Sequence, residues 1–287
     1  IAYSVTMPQS IIPVNAIHQD LYVKSKYYFP FPSTRDMNGA KIGLKSVSIY
    51  NSWNNIDPIY NNQHFSIIFP NGAGNTTLAI TIPAGIYTVE DLNNYLRDYF
   101  ISQNLYITNT STTDITVYAQ FVQNGTAYSI DFVSFPLPTS TPAGFTNAGI
   151  TWPTTVRGPQ IVIATNNFRT ITGYLAGTYP AAQQSTIYTK QSDVVPVISP
   201  VQSVNLTCDA VINLFSSNSS VIHSFTSKTA GSGQLIDSSP NEVSFIDCSS
   251  GSREGLTFQF TDQLGRPLQL KDGDININIL VKTEAVN

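Results

Sequence analysis

The sequence predicts an all-β sandwich of two sheets, with long loops and one short amphipathic helix, and three observations carry that expectation. Short runs of β-branched and aromatic residues alternate with clusters of Gly, Pro, Asn and Ser, the punctuation of strands and turns. Only 11% of the 287 residues are charged, against about 25% in average soluble domains, so Asn, Ser, Thr and Gln must cover most of the surface. A single stretch of any length carries a helical apolar stripe.

Taken in order, residues 18–31 alternate and end at Pro30 and Pro32. Residues 41–50 (KIGLKSVSIY) put Ile42, Leu44, Val47 and Ile49 close to period two, with a slip that reads as a bulge. Residues 64–69 and 77–82 flank a Pro70–Asn75 turn sequence and form a hairpin. Thr88 is the N-cap of the helix, with Glu90 and Asp91 in its first turn and Val89, Leu92, Tyr95, Leu96, Tyr99 and Phe100 on its apolar stripe. A second hairpin, 114–123 with 127–135, turns at Asn124-Gly125, and Ile115, Val117, Ala119 and Phe121 supply one buried face.

Residues 136–165, rich in Pro, Thr and Gly, read as a long surface loop or an insertion. A helical turn follows at 167–175, where Phe168, Ile171 and Tyr174 share a face. Strands then resume at 201–211, 221–225, 242–247, 256–261 and 274–282. In the last, Ile275, Ile277, Ile279 and Val281 alternate with Asn276, Asn278 and Leu280, and residues 262–267 supply the turn before it. Nine or ten strands with no repeat and no heptads make a sandwich, of which the jelly roll is the commonest viral and lectin version. The expected organisation is one jelly-roll domain over 1–287, with an N-terminal arm at about 1–16 and an elaboration within 103–165.

Charge and motifs exclude several functions. A net charge of −4 with no Lys/Arg cluster argues against direct binding of nucleic acid. No apolar run approaches the roughly 20 residues of a membrane-spanning helix. Residues 1–19 have neither a basic start nor a signal-like apolar core, although a chain that begins without Met is compatible with a longer product. Cys208 and Cys248 could pair or stay free, and two buried thiols in a reducing compartment are the expectation.

No nucleophile elbow, P-loop or HExxH motif is present, and His18, His64 and His223 lie far apart without a second ligand at metal-binding spacing. A glycosidase would need two converging carboxylates, for which Asp131, Asp209, Glu242 and Asp247 are candidates, while Asp262, Asp272 and Asp274 read as turn residues. The Asp262-x-x-Gly265 turn resembles a cation loop but lacks the alternating oxygen ligands of one. Expected catalytic, cofactor-binding and metal residues are therefore none, and the chain reads as a non-enzyme. Asn75, Asn109, Asn124, Asn205 and Asn218 head Asn-x-Ser/Thr triplets that chance alone explains in so Asn- and Ser-rich a chain. The 15 Tyr and 15 Phe fit core and subunit contacts better than a sugar-binding face, for which only Trp53 and Trp152 would be available as Trp.

Three stretches, in order, resemble the penton (vertex capsid) proteins of virophages and of polinton-like double-stranded DNA viruses, the mavirus-type pentons most of all. They are 80–96 (ITIPAGIYTVEDLNNYL), 201–225 (with SVNLTCDAV and SVIHSF) and 255–282, whose FTDQxGRPL core at 260–268 is the most specific. The match is weakest between about 103 and 165. The resemblance implies an upright single jelly roll that forms a homopentamer and closes each icosahedral vertex beside double-jelly-roll major capsid trimers. It further implies a virion protein made in the host cell cytoplasm, with no catalytic residues to carry over. A carbohydrate- or receptor-binding module of a viral spike is the alternative, with a host receptor or glycan met through exposed loops.

Overall fold

The computed structural model describes residues 9–15, 18–19, 25–216, 218–227, 230–271 and 275–283. Asp272, Asp274 and most of the expected arm, residues 1–8 and 16, lie outside them. The chain divides into two compact units, one discontinuous (1–54 with 201–287) and one inserted within it (55–200). The elaboration expected at 103–165 lies inside the inserted unit, which extends well to either side of it.

Strands are numbered along the chain. The discontinuous unit holds β1 (Gln9–Asn15), β2 (His18–Gln19), β3 (Lys26–Asp36), β4 (Lys41–Tyr50), β15 (Val204–Cys208), β16 (Val221–Phe225), β17 (Leu235–Ser238), β18 (Ile246–Asp247), β19 (Ser252–Asp262) and β20 (Asn276–Lys282). One sheet runs β1-β20-β4-β17, with β18 also on β4, and the other β16-β15-β19-β3-β2. Counting only β1, β3, β4, β15, β16, β17, β19 and β20 as strands one to eight, the sheets read 1-8-3-6 and 2-7-4-5. That order is a jelly roll, and the inserted unit occupies the connection between its third and fourth strands.

Alternation decides which face each strand buries. On β4, Ile42, Leu44, Val47 and Ile49 are buried, and opposite them Ile277 and Ile279 of β20. Leu256, Phe258 and Phe260 of β19 with Leu206 of β15 form the facing side, and Tyr27 meets Phe260 edge to face at 5.9 Å. The predicted slip in 41–50 is a bulge at Lys45, since Asn278 pairs with Ser46 and Ile279 with Leu44. Residues 9–15 belong to a strand and not to a free arm: β1 pairs antiparallel with β20, and as an edge strand it tolerates Pro13.

Strand β3 continues through Pro30 and Pro32 to Asp36 instead of ending there. Among the described residues its neighbour β2 pairs only with Tyr27 and Tyr28, and Pro30 and Pro32, which have no N–H to donate, lie beyond that pairing. At the same point β19 bulges between Arg253 and Gly255. A Cβ on Gly255 would lie 2.5 Å from the Phe29 carbonyl oxygen, so this crossing requires glycine.

The inserted unit contains β5 (His64–Asn71), β6 (Gly74–Thr81), α1 (Val89–Ser102), β7 (Ile107–Asn109), β8 (Ile115–Thr116), β9 (Ala119–Asn124), β10 (Ser129–Ser134), β11 (Phe145–Asn147), β12 (Gln160–Ile163), α2 (Phe168–Thr172), β13 (Gly177–Tyr179) and β14 (Tyr188–Gln191). They form three small sheets, β13-β12-β5-β6, β14-β10-β9 and β11-β7-β8. Helix α1 begins in a capping box: the Thr88 hydroxyl accepts from the Asp91 N–H and the Asp91 carboxylate accepts from the Thr88 N–H. Its Leu92, Leu96 and Phe100 are buried, while its polar atoms tend two sheet edges. The Tyr95 and Tyr99 hydroxyls donate to the carbonyls of Thr81 and Ala79 on β6, and Asn93 accepts from the Phe121 N–H on β9.

The core beneath is a run of phenylalanines. Phe65 stacks on Phe168 at 4.7 Å and meets Phe121 edge-on at 5.9 Å, and Phe121 reaches Phe132 at 5.9 Å. The hairpin expected at Asn124-Gly125 is present with a longer loop, because Asn124 ends β9 and pairs with Ser129. Its side chain accepts from the Ala127 N–H and donates to Asp131. The reading of 136–165 as surface loop needs correction: it carries β11 and β12 and buries Leu137, Ile150, Ile161 and Ile163. These side chains enter the core singly from Pro- and Thr-rich sequence, so no period announces them.

Candidate interaction surfaces

Three of the sequence-selected carboxylates, Asp131, Asp209 and Asp247, have structural partners of their own. Asp131 accepts from Asn124 and from the Ser129 hydroxyl at 2.9 Å. Asp209 accepts from the Thr257 N–H at 2.9 Å and lies 3.4 Å from Arg253. Asp247 pairs with Lys41 at 2.9 Å, and Glu242 is exposed. Among the described residues no three His, Cys, Asp or Glu side chains gather as a metal would require. His64 meets the Thr81 hydroxyl at 3.0 Å, and His223 stacks on Phe225 with burial holding its pKa below the usual imidazole value. His18 lies in β2 opposite Tyr28.

Asp262 explains the most distinctive motif. Its fully buried carboxylate accepts from the N–H groups of Leu264 (2.8 Å) and Arg266 (2.9 Å), and from Arg266 Nε at 2.6 Å. Its backbone closes the same turn, with Asp262 N–H donating to Arg266 O and Gly265 N–H to Asp262 O. No oxygen is left over for a cation, and FTDQLGRPL is a strand-ending lock whose Gly265 takes a φ of 75°.

The two cysteines are free and buried, Cys208 at the end of β15 and Cys248 just after β18. Desolvation raises both thiols, Cys248 to about 11 and Cys208 further. Thiolates are therefore scarce at neutral pH, as inert core residues require. Trp53 is buried, and Trp152 donates from Nε1 to Thr141 while packing edge-on against Tyr118. Trp53 therefore offers no open ring face to a sugar.

What remains is surface. Among the described residues large apolar side chains stand out to solvent in groups: Leu214, Phe215 and Leu264 on the jelly-roll unit, and Tyr128, Val194 and Val195 on the inserted one. Beside the first group lies a groove of about 530 Å³ lined by Ser203, Asn205, Ser216, Asn218, Ser224 and Gln263. Beside the second, an apolar groove of about 250 Å³ runs past Val89, Tyr128, Val195 and Ile198. Sequence reasoning named neither. Their residues come from separate segments, and neutral polar side chains carry no motif.

Sheet order defines the class: an all-β jelly roll carrying an inserted β unit. No protein-family model and no curated protein matches the chain. Two solved structures are similar along nearly its whole length. The mavirus penton protein is 9% identical, with 96% of this chain and 99% of that chain covered and a TM-score of 0.48. A chain from the structure of the Sputnik virophage is 13% identical, with 96% and 98% covered and a TM-score of 0.39.

Proposed function

We propose that the chain is a structural capsid protein of a virion, a penton subunit whose homopentamer closes the icosahedral vertices beside major capsid trimers, and that it works without catalysis. The observation that carries this reading is a jelly roll whose thinly charged surface bears grouped apolar side chains, Leu214, Phe215 and Leu264 among them. A surface of that kind is held in solution by little charge repulsion and favours contact with copies of itself. The penton-like stretches at 80–96, 201–225 and 255–282 support it further. Five copies meeting through one heterologous contact form a closed ring, each contact needing about 800 Å² from each partner.

The solution mass by light scattering, over a range of concentration and salt, tests the reading. The expected particle holds five copies of the 31.3 kDa chain, near 157 kDa. A monomer at every concentration that also fails to join shells when coexpressed with the major capsid protein overturns it. Synthesis in the host cytoplasm and display at the vertex follow from the same proposal.

A further inference from the structure

The groove that Ser216 and Asn218 line opposite the Asp262–Arg266 turn has the chemistry of a sugar site, and we infer that it binds a neutral glycan. Every polar side chain lining it is a hydroxyl or an amide, and none is charged. Its floor is held in place from within: Asn205 donates to the Asp262 carbonyl at 2.9 Å and accepts from the Ser224 hydroxyl at 2.5 Å. That turn is in turn fixed by the buried Asp262–Arg266 pair. A rigid floor spares a ligand the cost of ordering it.

Around this floor, donors remain unspent. Asn218 uses its Oδ1 on the Ser220 N–H, which leaves its Nδ2 without a partner among the described residues, as are the hydroxyls of Ser203 and Ser216. Leu264 lines the groove, and Phe215, fully exposed, is the chain neighbour of its lining residue Ser216. Planar amides and hydroxyls match the paired hydroxyls of a pyranose, and an exposed aromatic ring suits its apolar face. The volume is within the range of small-molecule sites, about 300–1,000 Å³. A groove meant for a protein partner would be expected to be lined mainly by apolar or aromatic side chains, and here Val221 and Leu264 are the apolar ones among hydroxyls and amides. Every group the inference uses belongs to one copy, and it requires that Phe215 and Leu264, which the penton reading counts among the contact side chains, stay open to solvent in the assembly.

The test presents the purified full-length protein to immobilised neutral oligosaccharides ending in glucose, galactose, mannose or N-acetylglucosamine, with sialylated and sulfated glycans as separate arms. At least one neutral glycan is expected to bind, with affinity unchanged between about 50 and 500 mM salt because no charge takes part. Phe215→Ala, at a side chain the fold does not use, should weaken that binding about tenfold while leaving the melting temperature unchanged. Asn218→Ala should weaken it as well. Failure to bind any neutral glycan, binding that survives both substitutions, or binding confined to charged glycans and lost in salt overturns the inference. So does a Phe215→Ala protein whose oligomeric state changes while glycan binding stays intact, since the loop would then be a subunit contact.

Discussion

In the jelly-roll unit the long pairings join strands remote in sequence: β3 meets β19 through Lys26 and Gln259, and β4 meets β20 through Lys41 and Lys282. In the inserted unit the longest pairings are hairpins of neighbours, β5 with β6 and β9 with β10, tied together by one helix. Both cores mix aliphatic and aromatic side chains, with Tyr27, Phe258 and Phe260 in the first and the linked rings of Phe65, Phe168, Phe121 and Phe132 in the second. Local pairings close early and at small entropic cost, and distant ones wait until most of the chain exists. The expectation is that the inserted unit folds by itself and the jelly roll folds last.

The sharpest way to break this comparison is to express residues 55–200 alone. The fragment should unfold cooperatively on heating by circular dichroism, and a fragment without a cooperative transition would show that its hairpins depend on the rest of the chain. Next in size are two core substitutions. Asp262→Ala strips the jelly-roll turn of a buried ion pair and should cost about 3–5 kcal/mol. Phe168→Ala opens the aromatic stack and should cost about as much, 3–5 kcal/mol. In denaturant titrations followed by hydrogen exchange, each should weaken its own unit and spare the other. Equal loss in both units would mean that they unfold as one.

A smaller effect is expected at Asn55. Its amide donates to the carbonyls of Tyr87 and Ile198 and accepts from the Tyr87 N–H. Asn55→Ala should cost about 1–3 kcal/mol, read as a lower denaturation midpoint of the inserted unit. The smallest is at the helix cap, where Thr88→Ala should cost about 1 kcal/mol. The backbone N–H and hydroxyl of Thr88 hold the Asp91 carboxyl below its usual value. Its contribution is therefore present above the ordinary carboxylate pKa and lost as pH falls through the lowered one. The difference between wild type and Thr88→Ala should shrink on acidification, and a constant difference from pH 7 to pH 3 would remove the capping box from the account.

The sequence made strands legible where burial was one-sided. Ile277, Ile279 and Val281 repeat at period two because β20 buries one face, and α1 declared itself through Thr88 and its apolar stripe. Legibility failed where strands were too short for a period, as in β7 and β11, three residues each. It failed also at β3, where the prolines suggested an end and the strand runs on through them to Asp36. The division into two units left no composition shift at 55 or 200 to mark it. The groove proposed for a glycan was invisible for a different reason: Ser203, Asn218 and Gln263 are common surface residues, and only the fold brings them together.

The Asn55 contacts have one more consequence. A single amide holds residue 55, where the inserted unit begins, within hydrogen-bonding reach of Ile198, near its end. A unit that departs and returns at almost the same point asks no more of the strand connection that carries it than a tight loop would. Such a module is a removable cartridge. A lineage could lengthen it, trade it for another fold or discard it, and the order of the eight jelly-roll strands would be the same afterwards.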